Sequence, residues 1–581
     1  MKRLLGCCLL FIIYSYALSA QEEREVKLKF IETSDIHGNF FPYNFITQKP
    51  ESGSLARIYS LIETRREEYG ENLILIDNGD ILQGQPTTYY YNYIDTTSTH
   101  LCAEMLNYMG YSVGNIGNHD IEVGRHTMER WVKDCNFPIL GANIVDRKTG
   151  EPSLKPYTII EREGIKVAIL GMITPAIPFW LPESLWEGLY FDDMEKTARK
   201  WLNIIRKKEK PDVIIGLFHS GQYETLLGKK YRDNASITVA QRVKGFDILM
   251  IGHDHIRECK KIIGNAGDTI LVVNPADNGK IAAEVDITFK MREGRVYEKS
   301  ISGALTSIEQ YNPSPVFMNH FAPQFKDIQS FVNKRIGEFE KTLTTREAYF
   351  GPSPFVDFVH TMQLKITGAD VSFASPLAFD IEIKEGDVLV SDMFALYRFE
   401  NQLYTMRLTG KEIKKHLEMS YDMWTDRMKS PSDHMLKFRD NKKKNWHFNA
   451  LKYFSFNFDS AAGIIYTVDL TKKKGNKINI ISMADGSPFY FDKDYKVVVN
   501  SYRGNGGGEL LTKGAGIPHD RLKERIINVT DKDFRYYLIR ELEEHDILAP
   551  KALNHWKFIP EEWVKTAAKE DYNILFNTKT K

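Results

Sequence analysis

The sequence is poor in cysteine, with five in 581 residues, and two of these are Cys7 and Cys8 near the start of the chain. The other three, Cys102, Cys135 and Cys259, are widely separated and form no CxxC pair. This spacing excludes a disulfide framework and a cysteine-based metal site, and leaves open whether these thiols are free or form one bridge. Any metal chemistry must therefore use His, Asp and Asn side chains.

The chain has no excess of either charge sign: Lys plus Arg number 77, and Asp plus Glu number 77. A neutral protein creates no overall field that attracts a polyanion, so the composition argues against a dedicated DNA or RNA binder. A hydrophobic content of 43% is ordinary for a globular protein, and 581 residues are enough for two domains with separate cores.

Long apolar runs are also missing. Leu4–Ile13 is shorter than the roughly 20 residues that a membrane-spanning helix needs. Basic residues precede this run at positions 2 and 3, and small residues follow at positions 19 and 20. The pattern predicts a signal peptide over residues 1–20, cleaved before Gln21. A membrane anchor and a lipoprotein attached at Cys7 are the alternatives. We expect export across an inner membrane to the periplasm, with surface association as a variant, and no transmembrane segment.

Apolar runs alternate with helical patterns over residues 24–312, as expected for an α/β domain whose strands are buried on both faces. The runs are Val26–Ile31, Leu73–Ile76, Val113–Ile116, Lys166–Ile173, Val213–Phe218, Ile248–Ile251 and Ile270–Val273. Five of them are followed by polar motifs, namely Asp35-Ile36-His37-Gly38, Asn78-Gly79-Asp80, Gly117-Asn118-His119-Asp120, His219-Ser220-Gly221 and Gly252-His253-Asp254-His255. Ligands of open α/β sheets bind at the carboxyl ends of strands. These motifs therefore predict one shared site.

The residue types at these strand ends suit a pair of divalent cations. A two-metal site needs a bridging carboxylate, for which Asp80 is the candidate, and further oxygen and imidazole ligands around it. Asp35 and His37 are two residues apart, as are His253 and His255, so an extended backbone points both members of each pair the same way.

These five motifs resemble the signature of the calcineurin-like metallophosphoesterases. The whole chain resembles the 5'-nucleotidase and 2',3'-cyclic-nucleotide 2'-phosphodiesterase family, and in particular its bacterial 2',3'-cyclic-nucleotide 2'-phosphodiesterase/3'-nucleotidases. The resemblance implies an α/β fold, with a four-layer metallophosphoesterase sandwich followed by a mixed α+β nucleotide-binding domain. It also implies two divalent metal ions, for which Mn, Zn, Fe and Co are comparable candidates.

The resemblance also implies roles for individual residues. One metal ion would be held by Asp35, His37, Asp80 and His255, and the other by Asp80, Asn118, His219 and His253. His119 would be the catalytic histidine that stabilises the transition state or protonates the leaving oxygen. The family's 5'-nucleotidases orient this histidine with an Asp three residues later, and this sequence has Glu122 at that position.

A second domain is predicted over residues 346–581, after a linker helix at 313–345 in which apolar residues recur at helical spacing from Phe317 to Phe339. By resemblance, this domain binds the nucleoside, with the base between Phe456 and Tyr502. Asn401, Arg398 and Arg503 are the further substrate-binding candidates. The glycine run after Arg503 precedes no clear helix, so a dinucleotide-binding loop is not predicted.

We therefore expect an exported nucleotide phosphohydrolase that uses hydroxide activated by two metal ions. The preferred type is a 2',3'-cyclic-nucleotide 2'-phosphodiesterase/3'-nucleotidase. A 5'-nucleotidase or nucleotide-sugar hydrolase of the same family is the first alternative. A non-catalytic nucleotide-binding protein is the alternative from another class. No partner beyond a small-molecule nucleotide is implied.

Overall fold

The computed structural model describes residues 23–227, 231–439 and 450–576, so the predicted signal peptide lies outside the described residues. Two compact units are present. The N-terminal unit comprises the residues up to Asn44, Lys49–Ile177 and Glu183–Phe325, and the C-terminal unit comprises Phe45–Gln48, Pro178–Pro182 and the residues from Lys326 onwards. Within the described ranges, no helix has the length and apolar character needed to cross a membrane.

Two six-stranded sheets form the centre of the N-terminal unit. Their strands are β1 (Glu23–Thr33), β2 (Leu73–Asp77), β3 (Val113–Asn115), β4 (Ile139–Leu140), β5 (Tyr157–Arg162), β6 (Ile165–Ile173), β7 (Val213–His219), β8 (Ile248–Ile251), β9 (Arg257–Ile263), β10 (Thr269–Pro275), β11 (Ile281–Arg292) and β12 (Arg295–Ser307). Sheet 1 has the order β12-β11-β1-β2-β3-β4, and sheet 2 has the order β9-β10-β8-β7-β6-β5.

The strands that precede the polar motifs are parallel within each sheet. In sheet 1, β1 pairs in parallel with β2 and β2 with β3; in sheet 2, β7 pairs in parallel with β6 and β8. Antiparallel strands border these central strands, β11 and β12 in sheet 1 and β5 and β9 in sheet 2. The seven apolar runs predicted as strands are confirmed, whereas the long β11–β12 hairpin was not predicted.

Helices complete a four-layer sandwich, as predicted. Over the described residues of 24–312, the α-helices of five or more residues are α1 (Leu55–Tyr69), α2 (Leu101–Met109), α3 (Asn118–Glu122), α4 (Arg125–Asp134), α5 (Met194–Lys208) and α6 (Ser236–Arg242). Apolar side chains of both sheets form one shared core, with Phe30 and Ile76 from sheet 1 and Ile169 and Ile215 from sheet 2. Burial of this apolar surface holds the two sheets face to face.

One buried carboxylate ties helix α1 to sheet 1. Glu284 on β11 is 3% exposed and accepts hydrogen bonds from Arg65 Nε at 2.7 Å and Thr306 Oγ1 at 2.5 Å, with Lys29 Nζ at 3.1 Å. Burial alone would raise the pKa of Glu284, but Arg65, Thr306 and Lys29 outweigh it and lower the pKa to about 2.

The C-terminal unit is mixed α+β. Its strands are β13 (Arg335–Phe339), β14 (Val371–Ala374), β15 (Gly386–Leu389), β16 (Leu403–Thr409), β17 (Ser460–Ala462), β18 (Ile464–Asp469), β19 (Ile478–Met483), β20 (Asp494–Asn500), β21 (Ile526–Val529), β22 (Ile547–Leu548) and β23 (Trp556–Ile559). They form a five-stranded sheet, β17-β14-β20-β16-β21, and two three-stranded sheets, β15-β13-β22 and β19-β18-β23.

Further helices are α7 (Pro315–His320), α8 (Ala322–Val332), α9 (Pro354–Thr367), α10 (Val390–Leu396), α11 (Gly410–Trp424), α12 (Ser501–Gly504), α13 (Phe534–His545) and α14 (Glu561–Phe576). Helix α11 starts with a capping box in which Thr409 and Glu412 each bond the other's backbone N–H. Its apolar face packs with β16 and β18 in the main core of this unit.

The predicted linker helix differs from the structure. Residues 315–332 form two helices, and Phe339 lies in strand β13. Pro323 lacks a backbone N–H and cannot continue the first helix, which ends before Phe321. Gly337 disfavours a helix further along the chain, where Ile336 and Phe339 are buried in a strand instead. The division between the units falls after Phe325, inside the predicted linker.

The Glu284 cluster predicts a pH-dependent contribution to stability. An unfolded Glu has a pKa near 4.3, so the stabilisation is complete above that pH and is lost as the pH falls through about 2. Glu284→Gln should lower the free energy of unfolding of the N-terminal unit by about 3 kcal/mol at pH 7. The difference from the unsubstituted protein should shrink by about 1 kcal/mol at pH 3.5.

Denaturant unfolding at both pH values measures this difference. Glu67→Gln is the matched control. Glu67 is exposed on helix α1, which also carries Arg65, so this substitution should have little effect on the free energy of unfolding. A Glu284→Gln deficit of the same size at both pH values would contradict the assignment.

Candidate metal centre

The predicted metal ligands converge at the carboxyl ends of the parallel strands. Two groups of three potential ligands each have their ligand atoms within 4.8 Å of one another: Asp35, His37 and His255, and Asp80, His219 and His253. Each group draws residues from the ends of both sheets. The groups adjoin, because His219 Nε2 lies 3.9 Å from Asp35 Oδ1.

In the first group, two imidazoles face one carboxylate. His255 Nε2 lies 3.2 Å from Asp35 Oδ1 and 3.3 Å from His37 Nε2. His37 Nδ1 contacts the carbonyl oxygen of Gln83 at 3.0 Å. A carbonyl can only accept, so the proton of His37 is on Nδ1 and its Nε2 is left to face Asp35 and His255.

The second group is arranged in a similar way around Asp80, with imidazoles beside a carboxylate. His219 Nε2 is buried, makes no hydrogen bond within the described ranges, and lies 3.1 Å from Asp80 Oδ2. Its Nδ1 donates to the carbonyl oxygen of Asn78 at 2.7 Å. Asn118 joins this group, with its Oδ1 2.7 Å from His253 Nδ1. All seven predicted ligands are thus brought together.

Most of these ligands have a strained backbone. Asp35, His37, Asp80, His253 and His255 all have positive φ, between 49° and 76°. This left-handed region is unfavourable for residues with a Cβ, and such strain persists at functional sites when the surrounding structure imposes it. Turns of this kind aim ligands from consecutive segments at one point.

Two glycines allow the backbone to approach the acidic ligands. A Cβ on Gly117 would lie 2.1 Å from Asp80 Oδ1, and a Cβ on Gly252 would lie 2.7 Å from Asp35 Oδ2. Larger residues at either position would displace the carboxylates.

The residues present fit two divalent cations. The groups combine carboxylate, imidazole and amide oxygen donors, a set that suits Mn, Zn, Fe or Co. The ligand atoms of each group lie within 4.8 Å of one another. The buried Nε2 of His219 lacks a hydrogen-bond partner among the described residues, which is costly unless a cation binds this nitrogen. Asp80 contacts His219 at 3.1 Å, and its charge acts to raise the pKa of Asp35 in the other group.

His119 lies beside this centre and contacts Glu122. Its ring is 5.3 Å from that of His37, its backbone N–H donates to Asp80 Oδ1 at 2.7 Å, and its Nδ1 bonds Glu122 Oε2. Burial alone would lower the pKa of His119, but Asp80 and Glu122 outweigh it, and the protein side chains together raise the pKa to about 10. The Glu at this position thus reaches the histidine that an Asp contacts in the family's 5'-nucleotidases.

Asp120 is a site residue that the sequence analysis did not single out. Its carboxylate is buried and accepts four backbone N–H bonds, from Gly117 and from Asp80, Ile81 and Leu82. It therefore fixes the loop that carries Asp80. The sequence does contain a signal for this role, because Asp120 directly follows His119 in one of the five motifs.

Two buried amides lie beneath the ligands. Asn78 Nδ2 is within 3.3 Å of the carbonyl oxygens of Phe218 and Met250 in sheet 2. Asn115 Nδ2 donates to Asn78 Oδ1 at 3.0 Å and to the carbonyl oxygen of Leu217 at 3.1 Å. These amides link the strand ends of one sheet to those of the other.

In the C-terminal unit, Phe456 and Tyr502 are neighbours, but they do not form a slot. Their ring centroids are 6.3 Å apart and their planes are nearly perpendicular, at 88°. Phe456 is stacked on Phe454 instead, at 5.3 Å and 12°. The predicted sandwich requires parallel rings, so Tyr502 would have to rotate before a base could lie between them.

Arg503 has an internal role instead of the predicted contact with substrate. It is 3% exposed, and its guanidinium makes a bidentate pair with Asp459 at 2.9 Å. It also donates to the carbonyl oxygens of Phe456, at 2.8 Å, and of Gly507, at 2.5 Å. The hydrogen-bonding capacity of its guanidinium is used within the unit, where Arg503 holds the Phe456 segment against the glycine-rich segment.

The other two predicted substrate residues differ in exposure. Asn401 is 5% exposed and its Oδ1 accepts a hydrogen bond from Ser501 at 3.1 Å, so it is committed to the fold. Arg398 is exposed and is the basic candidate that remains available to a ligand.

Comparisons with known proteins agree with this architecture. Residues 28–257 match the calcineurin-like phosphoesterase family, and residues 335–513 match the 5'-nucleotidase C-terminal domain. The 2',3'-cyclic-nucleotide 2'-phosphodiesterase/3'-nucleotidase of Yersinia enterocolitica is 24% identical over 96% of this chain and 92% of its own length. The trifunctional nucleotide phosphoesterase YfkN of Bacillus subtilis is 27% identical over 92% of this chain, which spans 39% of that protein.

A solved structure supports the fold over both units. A Staphylococcus aureus protein described as a 5'-nucleotidase has a TM-score of 0.73 at 20% identity, covering 92% of this chain and 100% of that one.

The fold and the convergent ligands define a metal-dependent phosphoester hydrolase with a calcineurin-like phosphoesterase domain. With its second domain, the chain belongs to the family of 5'-nucleotidases and 2',3'-cyclic-nucleotide 2'-phosphodiesterases.

The contact between His119 and Glu122 predicts a shift in pH dependence. Glu122 contributes to the raised pKa of His119, so Glu122→Gln should lower that pKa. If His119 acts as a general acid, the alkaline limb of the kcat profile should then move to lower pH, and kcat on the alkaline side should fall by roughly tenfold or more. The kcat of phosphate release, measured across pH, checks this.

Two further variants complete the test. Glu122→Asp keeps the charge and should give an intermediate profile. Glu129→Gln removes an exposed carboxylate that pairs with Arg125, and it should leave the profile unchanged. A Glu122→Gln profile that matches that of the unsubstituted enzyme would remove Glu122 from the catalytic machinery.

Proposed function

We propose that the protein is an exported nucleotide phosphohydrolase of the 2',3'-cyclic-nucleotide 2'-phosphodiesterase/3'-nucleotidase type, with two metal ions at its centre. The observation that carries the proposal is the pair of adjoining ligand groups, each with carboxylate and imidazole donors, in a chain that matches the Yersinia enterocolitica enzyme over 96% of its length. Asp35, His37, Asp80 and His255 would hold one ion, and Asp80, Asn118, His219 and His253 the other.

Two divalent cations in this centre supply Lewis-acid polarisation of the phosphoryl group and lower the pKa of the attacking water. The protein's own part is positioning and proton transfer. With a cyclic substrate, water attacks phosphorus, the bond from phosphorus to O2' breaks, and His119 gives a proton to the departing oxygen. Glu122 keeps the His119 ring in the required orientation. The resulting 3'-monophosphate can undergo a second hydrolysis with O3' as the leaving group.

The nucleoside would be recognised by the C-terminal unit. Phe456 and Tyr502 offer aromatic faces, and stacking is worth about 1–3 kcal/mol per base. Tyr502 lies against Gly507, where a Cβ would come within 2.5 Å of the tyrosine ring. The glycine at position 507 therefore leaves the space that the tyrosine ring occupies. Arg398 supplies an exposed positive charge.

A 5'-nucleotidase or nucleotide-sugar hydrolase remains the alternative, since the 5'-nucleotidase of Vibrio cholerae is 32% identical over 35% of this chain. The resemblance of the second-domain segments to the cyclic-nucleotide enzymes favours the first proposal.

Phosphate release by the chain from Gln21 to Lys581, with manganese added, tests the proposal. The substrates are 2',3'-cyclic AMP, 3'-AMP and 5'-AMP, each with and without a chelator, with a phosphomonoesterase added to score opening of the cyclic diester. We expect chelator-sensitive hydrolysis of the first two, and none in Asp80→Asn, because that variant loses the shared carboxylate charge. Hydrolysis confined to 5'-AMP would establish the alternative.

The same assay tests base recognition. Tyr502→Ala should raise KM roughly tenfold with kcat little changed, because an aromatic contact is lost while the metal centre is intact. Tyr490→Ala, at an exposed aromatic position of the same unit, is the control. An equal fall of kcat and kcat/KM in Tyr502→Ala would assign the tyrosine to the chemical step.

Export has its own measurement. Intact mass analysis of the protein from cell fractions should find a periplasmic form that begins at Gln21. A cytoplasmic form that retains residues 1–20 would contradict the proposal.

A further inference from the structure

His253 has a different neighbour on each ring nitrogen. Its Nδ1 lies 2.7 Å from Asn118 Oδ1, in the second ligand group. Its Nε2 lies 2.9 Å from a carboxylate oxygen of Asp233, which belongs to none of the five sequence motifs. The same Asp233 oxygen accepts a hydrogen bond from Thr174 Oγ1 at 3.2 Å.

This arrangement is the reverse of that at His37 and His219. His37 and His219 hold Nδ1 against backbone carbonyl oxygens, which leaves Nε2 to face the centre. In His253 the outer nitrogen is Nε2 and the nitrogen that faces the ligands is Nδ1. Asn118 Oδ1 and the Asp233 carboxylate can both only accept, and a neutral imidazole has one proton to donate. The charged carboxylate is the stronger acceptor, which favours the proton on Nε2. The lone pairs of His253 Nδ1 and Asn118 Oδ1 then face each other, as two ligands of one cation would.

Asp233 is itself held firmly. It is 9% exposed, its backbone N–H donates to the carbonyl oxygen of Thr225 at 2.8 Å, and its own carbonyl oxygen accepts from Ser220 Oγ at 2.7 Å. Ser220 directly follows the ligand His219. Among the described residues, the ion-pair partner of Asp233 is His253, with no lysine or arginine. A carboxylate this buried is costly unless its charge is used.

We propose that Asp233 is a positioning residue of the metal centre. It selects the tautomer of His253 that leaves Nδ1 free to bind the ion that Asp80, Asn118 and His219 would also hold, and its charge would make that nitrogen a stronger donor. The inference depends on metal binding, and not on which nucleotide the enzyme hydrolyses.

Manganese binding to the chelator-stripped full chain tests the role by calorimetric titration. Asp233→Asn keeps the size of the side chain but removes the charge. It should weaken the binding of one of the two ions by roughly 10–100-fold and leave the affinity for the other unchanged. Asp277→Asn provides a comparison, because Asp277 Oδ2 lies 3.6 Å from His255 Nδ1 in the other group. Asp277→Asn should not change the affinity for the ion whose binding Asp233→Asn weakens. Glu161→Gln controls for the loss of one exposed charge.

Two results would overturn the proposal. The first is an Asp233→Asn protein that binds both ions with unchanged affinity, whatever its Tm, because a purely structural carboxylate would behave in that way. The second comes from the protein with Asp233 intact. Nitrogen-15 NMR of the zinc-loaded protein is expected to show a proton on Nε2 of His253, and on Nδ1 of His37 and His219. His253→Gln assigns the signal. A proton on Nδ1 of His253 would refute the selection by Asp233.

Because these readouts are affinity and tautomer, they separate this inference from the choice of substrate. A protein that fails on every nucleotide could still show the Asp233 effect, and an active nucleotidase could lack it.

Discussion

The hydrogen bonds between Asn78, Asn115 and the strand ends of sheet 2 set the geometry on which the metal centre depends. Side-chain amides from sheet 1 reach backbone carbonyls of sheet 2 in a buried setting where unpaired polar groups are costly. The backbone oxygen of Asn78 also orients His219. Apolar burial brings the sheets together, but it is non-directional and tolerates sliding. The hydrogen bonds of the Asn78 and Asn115 side chains are directional, and they fix how the ligand-bearing loops of one sheet lie relative to those of the other.

Above this layer, further contacts and the local backbone position the side chains of the centre. Asp120 binds the Asp80 loop through four backbone bonds, Glu122 reaches His119 from one helical turn away, and positive φ values turn the ligands inward. The strain costs roughly 1–3 kcal/mol per residue and is tolerated because buried hydrogen bonds on either side hold these segments. The C-terminal unit uses a similar device, since Arg503 ties the Phe456 and Gly507 segments to Asp459.

Much of this could be predicted because residue type and strand position were both local signals. Buried strands are continuous apolar runs, and Asp35, Asp80 and His253 each follow one directly. The β11–β12 hairpin and the contact of Asp233 with His253 depend on pairings between distant segments, for which a single sequence carries no signal. The charge of Arg503 suggests a contact with substrate, but its burial and its pairing with Asp459 commit the guanidinium to the fold. The apolar spacing predicts one linker helix, whereas Pro323 and Gly337 interrupt it and the segment forms two helices and a strand.

The origin of the ligands in two different sheets has a thermodynamic consequence. Asp35, His37 and Asp80 follow strands of sheet 1. In sheet 2, His219 is the last residue of a strand, and His253 and His255 follow another strand. Each ligand group contains members from both sheets. A cation that binds such a group acts as a clamp across the sandwich and binds the unfolded chain much less well. At a free concentration of 100 times Kd, one such site adds about 2.7 kcal/mol to the stability of the fold. Cation supply would then determine how long the enzyme resists unfolding and proteolysis, as well as whether it turns over.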